Sequence, residues 1–219
     1  MTERLGFFGG TFDPIHYGHL RVAEELAESL RLDRVFFIPA AQHPHKLPDG
    51  PVAFQHRLEM LKLAIEDRPG FEVSDIERFL PKPSFTINTV QALKAQVDGQ
   101  CFFLVGYDSF QHIKKWAAYE LLLKLCPMVV FRRPGVPGGR AALQRLLAKI
   151  TGAPPQWDPD QGALVTPGWP LVHYYEGCCL EISSTDLRQR LAAGESVRYL
   201  APEATRAYLL EHGLYSPTK

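Results

Sequence analysis

The sequence carries no excess of charge of either sign: 24 lysines and arginines stand against 24 aspartates and glutamates. No global field would draw such a chain to nucleic acid or to an anionic membrane, so any phosphate chemistry must rest on a local cluster. An apolar run of the roughly 20 residues that a membrane-spanning helix needs is also missing, and residues 1–20 hold no uninterrupted apolar segment of signal-peptide length. The expectation is a cytoplasmic protein with no membrane and no nucleic-acid partner. Cysteine is scarce: Cys101, Cys126, Cys178 and Cys179 form no C-x-x-C pair, and three of them lie within or beside apolar, strand-like runs. Reduced, buried thiols follow from that placement. No repeat with a period of 20 to 50 residues is found. Two familiar phosphate loops are absent as well, because there is no G-x-x-x-x-G-K-[ST], and "GFFGGT" does not supply a G-x-G-x-x-G fingerprint.

What is present is a regular alternation. With 46% apolar residues in 219, the chain can bury one sizeable core. Apolar runs of strand length, "RLGFFGG", "RVFFIPA", "FEVSD", "CFFLVG", "PMVVFRR" and "LVHYYEGCCLEIS", alternate with helix-period segments that include "HLRVAEELAESLRL", "FQHRLEMLKLAIED", "TINTVQALKAQ", "SFQHIKKWAAYELLLKL" and "AALQRLLAKI". Continuous apolar strands separated by helices imply a mostly parallel sheet covered on both faces, since parallel strands need right-handed crossovers. A doubly wound α/β fold is predicted, as one domain over 1–219 in which closing helices 184–214 complete a phosphate site. Two Pro/Gly-rich stretches interrupt the pattern. "PAAQHPHKLPDGP" leaves a strand end, where open α/β sheets bind ligands; "GAPPQWDPDQGALVTPGWP" follows a helix and reads as surface elaboration.

Two short segments carry chemistry. In "GGTFDPIHYGHL", Gly9 and Gly10 end a strand without side chains and let a ligand approach the backbone, Thr11 adds a hydroxyl, and Asp13-Pro14 suits a helix start. His16 and His19 are three residues apart and share one face of the first helical turn, with Gly18 leaving room for a flat ring. Together with the helix amino end they form a phosphate-sized donor pocket, although two histidines could instead satisfy loop carbonyls. In "EISSTDLRQRL", Ser183 or Ser184 caps a second helix and Ser183-x-x-Asp186 is a variant capping box. Capping explains the serines but not Arg188, one turn inside, whose planar fork could reach a phosphate held at the cap.

At these residues the sequence resembles the nucleotidylyltransferase superfamily, whose H-x-G-H motif appears as His16-Tyr17-Gly18-His19 and whose ISSTxxR motif runs from Ile182 to Arg188. The further segments "IPAAQHPHK", "HRLEMLKLAI", "SDIERFLPKPSFTINTV", "FFLVGYDSF" and "VVFRRPG" make the chain similar to the bacterial nicotinate-nucleotide adenylyltransferase family from about residue 4 to residue 215, most weakly between 136 and 170. That resemblance implies adenylyl transfer from ATP to nicotinate mononucleotide, with release of pyrophosphate, in NAD biosynthesis. It implies magnesium with the nucleotide, and it leaves a homo-oligomer open.

Residue by residue, the resemblance implies that His16, His19 and Arg188 act on the phosphates. Gly9, Gly10, Thr11, Phe12, Gly18, Gly106, Asp108, Ser183, Ser184 and Thr185 would complete the ATP site, with Asp108 on a ribose hydroxyl. Lys46, Thr86, Trp116 and Arg133 would form the nicotinate mononucleotide site. Trp116 could equally be core packing within a helix, and Lys46 a solvated lysine. Arg132 and its neighbour Arg133 point to opposite faces, which favours one of them, Arg133, for the phosphate. His43 and His45 lack a third ligand for zinc, and no metal site of the protein's own is expected. His56, His112, His173 and His212 read as ordinary, and Arg57 as the partner of a loop carboxylate. Ser109 and Phe110 depart from the more apolar pair of many relatives, which bears on closure of the pyridine loop. Acceptance of nicotinamide mononucleotide or phosphopantetheine, and a non-catalytic sensor of ATP and a pyridine nucleotide, are the alternatives.

Overall fold

The computed structural model describes residues 2–42, 51–132, 138–177 and 180–216. Lys46, Arg133, His43, His45, Cys178 and Cys179 lie outside the described residues. Six strands run parallel: β1 (Arg4–Gly10), β2 (Arg34–Pro39), β3 (Phe71–Val73), β4 (Gln100–Gly106), β5 (Met128–Phe131) and β8 (Val172–Tyr175). Two short ones, β6 (Gln156–Asp158) and β7 (Ala163–Val165), are antiparallel. Among the described residues they form one sheet in the order β3-β2-β1-β4-β5-β8-β7-β6. The chain winds outward from β1 first to β2 and β3, then returns to β4 on the other side. The crevice between the carboxyl ends of β1 and β4 is therefore the switch point, where open α/β sheets hold their ligands.

Alternation along each strand divides the core into two. Leu5 and Phe7 of β1, with Cys101, Phe103 and Val105 of β4, face helices α3 (Thr86–Lys94), α5 (Tyr119–Leu125) and α6 (Arg140–Thr151). Phe8 of β1, with Phe102 and Leu104 of β4, faces α1 (Tyr17–Leu30), α2 (Phe54–Ile65), α7 (Ser184–Ala192) and α8 (Glu203–Glu211). Strands buried on both faces read as continuous apolar runs, which is why they stood out in the sequence. Cys101 and Cys126 are free and buried, and burial pushes the Cys126 thiol up to about 12. No helix among the described residues is long and apolar enough to cross a membrane.

Two segments differ from the sequence expectation. The stretch "GAPPQWDPDQGALVTPGWP" is not surface elaboration: it supplies β6 and β7, an antiparallel hairpin that extends the main sheet and buries Ala163 and Leu164. Its turn is built by Asp158, whose Oδ1 accepts from the Asp160 and Gln161 amides at 2.9 and 3.1 Å, and by Gly162 at φ 58°. The run "SFQHIKKWAAYELLLKL" is not one helix. It breaks into α4 (Tyr107–Phe110), a 3-10 turn at Ile113–Lys115 and α5, with Ala118 left-handed at φ 48°. Phe110 and Ile113 are fully buried, so tertiary packing overrides a helical period there.

Candidate functional site

Gly10 and Gly106 end β1 and β4 level with each other, two residues past the paired Phe8 and Leu104. Beyond Gly10 the chain turns sharply. Phe12 is left-handed at φ 49°, and its ring folds back under Gly10, where an added Cβ would lie 2.9 Å from it. The Phe12 ring is thus buried floor, and only its backbone is left to line a site above it. Edge-on against it, at 5.1 Å between centroids, stands the ring of His19.

Asp13 and Pro14 do not begin the helix. They lie buried before it, and α1 starts at Tyr17 with His16 as its extended N-cap residue. His16 and His19 then stack, centroids 3.7 Å apart and planes 27° from parallel, as spacing by three on a first turn allows. The amino end offers fewer free donors than the sequence suggested, because the Tyr17 amide donates to the Leu200 carbonyl and the His19 amide to that of His16, each at 3.0 Å. Nor does Gly18 leave open room on every side. A Cβ there would meet the His16 ring at 3.0 Å and the carbonyl oxygen of Ile182 at 3.2 Å.

That last contact is where the two motifs meet. Ser183 is the N-cap of α7, its hydroxyl accepting from the Asp186 amide at 3.1 Å. Asp186 does not complete a box but pairs with Arg190 at 3.0 Å. Ser184 donates its hydroxyl to the Pro14 carbonyl at 2.9 Å, across 170 positions of sequence. Arg188 Nη1 donates to the Asp13 carbonyl at 2.7 Å, and Nη2 to the Thr185 hydroxyl at 3.3 Å. The hydroxyls of Ser183 and Thr185 therefore hold the helix and the arginine, while the Arg188 side chain keeps about a third of its surface open.

Two residues that the sequence reading undervalued organise this junction. Asp13 is 4% exposed. Its Oδ1 accepts from the Val52 amide at 3.1 Å and from the Tyr215 hydroxyl at 2.5 Å, and its Oδ2 faces Arg188 Nη1 at 3.7 Å. Arg57 is 1% exposed, and among the described residues no carboxylate pairs with it directly. It donates to three carbonyls, Thr11 at 2.8 Å, Ala40 at 2.7 Å and Val52 at 3.1 Å, tying the loops after β1 and β2 together. Burial pulls its pKa down, against the opposing fields of Asp13, Tyr215 and Glu77. A D-P pair and an arginine inside an amphipathic helix give no sequence signal for such roles.

The loop after β2 is anchored by the Ala41 amide to Glu77 at 3.0 Å and the Gln42 amide to Ser84 at 3.1 Å. Thr86 opens α3 immediately after, half-buried. Trp116 lies outside any helix, following the 3-10 turn, with its ring edge-on to Phe103 at 6.4 Å. Asp108 is half-buried in α4, just past the end of β4. Ser109 is exposed, but Phe110 is core, so its side chain does not face the loop. Arg132 pairs with Glu176 at 2.7 Å on the surface. His56 is not isolated: its Nδ1 lies 2.9 Å from the Tyr208 hydroxyl.

A sequence profile of the cytidylyltransferase-like family matches residues 7–190. A protein of Citrifermentans bemidjiense named "Probable nicotinate-nucleotide adenylyltransferase" is 42% identical over 213 residues, 97% of this chain and 98% of its own. A Roseiflexus protein of the same name is 41% identical over 211 residues, 96% of this chain and 97% of its own. The chain belongs to the cytidylyltransferase-like family and, within it, to the nicotinate-nucleotide adenylyltransferases. Among solved structures, nicotinic acid mononucleotide adenylyltransferase of Plasmodium falciparum, complexed with NaAD, shares the fold with a TM-score of 0.71 at 17% identity, over 97% of both chains.

Proposed function

We propose that the chain transfers the adenylyl group of ATP to nicotinate mononucleotide, giving nicotinate adenine dinucleotide and pyrophosphate in NAD biosynthesis. One observation carries this reading beyond the family assignment: the His16–His19 stack and the Arg188 fork, far apart in sequence, are strapped together through Pro14–Ser184 and Asp13–Arg188 at the switch point of the sheet. The attacking phosphate oxygen of the mononucleotide is ionised at neutral pH and needs no general base. It forms a bond to the α-phosphorus while the bridging P–O bond to the β-phosphate breaks, and pyrophosphate leaves with that electron pair. Negative charge builds on the α-phosphate and the leaving group. Fixed cationic and N–H donors that are already in place lower the barrier, because they need no reorganisation when the charge appears.

In this reading His16, His19 and Arg188 touch the phosphates, the Gly9–Gly10 backbone, Gly18 and Thr11 line the same pocket, and Asp108 beside Gly106 takes a ribose hydroxyl. Ser184 binds the motifs together and can still accept or donate toward the ligand. Thr86 and Trp116, with Lys46 and Arg133, receive the mononucleotide. The chain is one domain whose closing helices 184–214 complete the phosphate site. Among the described residues no group of three or more histidine, cysteine, aspartate or glutamate side chains could hold a metal. Around the pocket the guanidinium cannot ligate a cation, and two imidazoles without a carboxylate do not make the oxygen set that magnesium prefers. Magnesium would come with the triphosphate as its own ligand. Purified protein given ATP, magnesium and one acceptor at a time tests the reading: dinucleotide should form with nicotinate mononucleotide, and turnover with phosphopantetheine alone would refute it.

A further inference from the structure

Tyr215 belongs to none of the motifs above. The chain reaches it through α8, which is docked on α2 by the Thr205 hydroxyl, 3.4 Å from the Met60 carbonyl, and by the contact between Tyr208 and His56. Gly213, left-handed at φ 57°, ends that helix, and the Leu214 amide bonds back to the Leu209 carbonyl at 3.0 Å. Tyr215 itself is left-handed at φ 59°, an uncommon conformation for a bulky residue that persists only where its surroundings fix it. Here the fixing contacts are packing against the apolar cluster that holds Phe12 and Leu187, and the hydrogen bond to Asp13 Oδ1.

The geometry around Asp13 is that of one carboxylate shared between competing donors. Oδ1 receives two neutral donors, the Val52 amide and the Tyr215 hydroxyl, while Oδ2 stands 3.7 Å from Arg188 Nη1. A buried carboxylate satisfied on one oxygen makes only a loose pair on the other, so Arg188 Nη1 stays on the Asp13 main-chain carbonyl at 2.7 Å and about a third of the side chain stays open. Deprived of the phenol, it would close on the nearest remaining cation, since an under-satisfied buried charge is costly. Burial and the neighbouring carboxylate push the phenol well above the ordinary tyrosine range, so the hydroxyl remains a donor at neutral pH.

We infer that Tyr215 is a positioning residue for the transfer step: by hydrogen-bonding Asp13 it keeps Arg188 facing the phosphates instead of collapsed into a tight ion pair. This rests on the adenylyl-transfer reading. The test is a kinetic double-mutant cycle of wild type, Tyr215→Phe, Arg188→Lys and the double variant, with nicotinate adenine dinucleotide as product. Tyr215→Phe should lower kcat about tenfold, a change of ~1.4 kcal/mol in the barrier, with KM for the mononucleotide within twofold. In the Arg188→Lys background the same substitution should cost less than about twofold, because the group it positions is gone. Equal losses in both backgrounds, or an unchanged kcat, would overturn the proposal.

Asp13→Asn is a second route to the same link: it removes the charge that would draw the guanidinium in, and with it the cost of leaving a buried carboxylate short of a donor. Tyr215→Phe can therefore be made in that background if it does not fold alone. There Tyr215→Phe should lower kcat less than about twofold, whereas a loss of about tenfold in the Asp13→Asn background counts against the proposal. If wild-type protein forms no dinucleotide, the functional reading fails by itself. The cycle is then read as ATP dissociation constants by calorimetry. Weakening by Tyr215→Phe that vanishes in the Arg188→Lys background supports the link, and unchanged binding rejects it.

Discussion

Replacing Arg57 by methionine removes a side chain that ties the loops after β1 and β2 to the start of α2. Three carbonyl oxygens, of Thr11, Ala40 and Val52, lose a charged donor at 2.7 to 3.1 Å. Hydrogen bonds to a charged group contribute about 1.5 to 3 kcal/mol each. Against that gross loss stands the relief of several kcal/mol from no longer burying a guanidinium. Methionine restores much of the volume, so no large cavity term is added. The net expectation is a destabilisation of about 3 kcal/mol, or some 6 to 12 °C in Tm for a chain of this size. Equilibrium unfolding in urea measures it, with an unchanged slope showing that the denatured state is the same. Arg57→Lys keeps the charge but not the fork, and should fall between wild type and Arg57→Met. A loss below about 1 kcal/mol for Arg57→Met would mean that the three carbonyls are satisfied without the guanidinium, and the buried network would not be what holds the site open.

Other consequences can be checked alongside. His19→Ala should reduce turnover at least about 100-fold, the scale for removing one preorganised donor, and unchanged turnover with weakened ATP binding would contradict a catalytic role. Gly18→Ala places a methyl 3.0 Å from the His16 ring and 3.2 Å from the Ile182 carbonyl. Turnover should fall at least about tenfold while the unfolding free energy moves by less than roughly 1 kcal/mol, since the helix gains what Ala offers over Gly; full activity would show that the motif junction tolerates displacement. His173 is buried in β8, with burial and then the field of Arg4 lowering its pKa while the Gln161 carbonyl opposes the shift. The unfolded chain takes up that proton near pH 6.5 and the folded one only at lower pH, so its share of stability is present above the ordinary histidine value and is lost as pH falls. His173→Gln should flatten the decline between about pH 7 and pH 5, and an identical slope would refute the assignment.

Much of this was legible because two periods dominate the sequence. Strands such as Leu5–Phe8 and Cys101–Val105 are apolar at every position when buried on both faces, and "HLRVAEELAESLRL" repeats at helical spacing, so the doubly wound order could be read directly. The two candidate motifs were legible for a different reason. Glycines paired with histidines, and cap serines followed by an arginine, combine residue types that packing alone does not need. What could not be read is tertiary in origin. Trp116 falls outside a helix because burying Phe110 and Ile113 bends the chain at a left-handed Ala118. The hairpin of β6 and β7 is only three residues deep on each arm, too short for alternation to register. Asp13 looked like a helix start and Arg57 like the partner of a loop carboxylate, because residues whose partners lie at positions 52, 188 and 215, or on the backbone of residues 11, 40 and 52, carry no local mark.

The central claim is that both motifs grip one triphosphate. A crystal structure of the chain with nicotinate adenine dinucleotide and pyrophosphate tests it most directly. Phosphate oxygens should lie within about 3.2 Å, a hydrogen-bond distance, of His16 or His19 on one side and of Arg188 on the other, above Gly9 and Gly10. Phosphates bound elsewhere, or in contact with only one of the two motifs, would contradict the account.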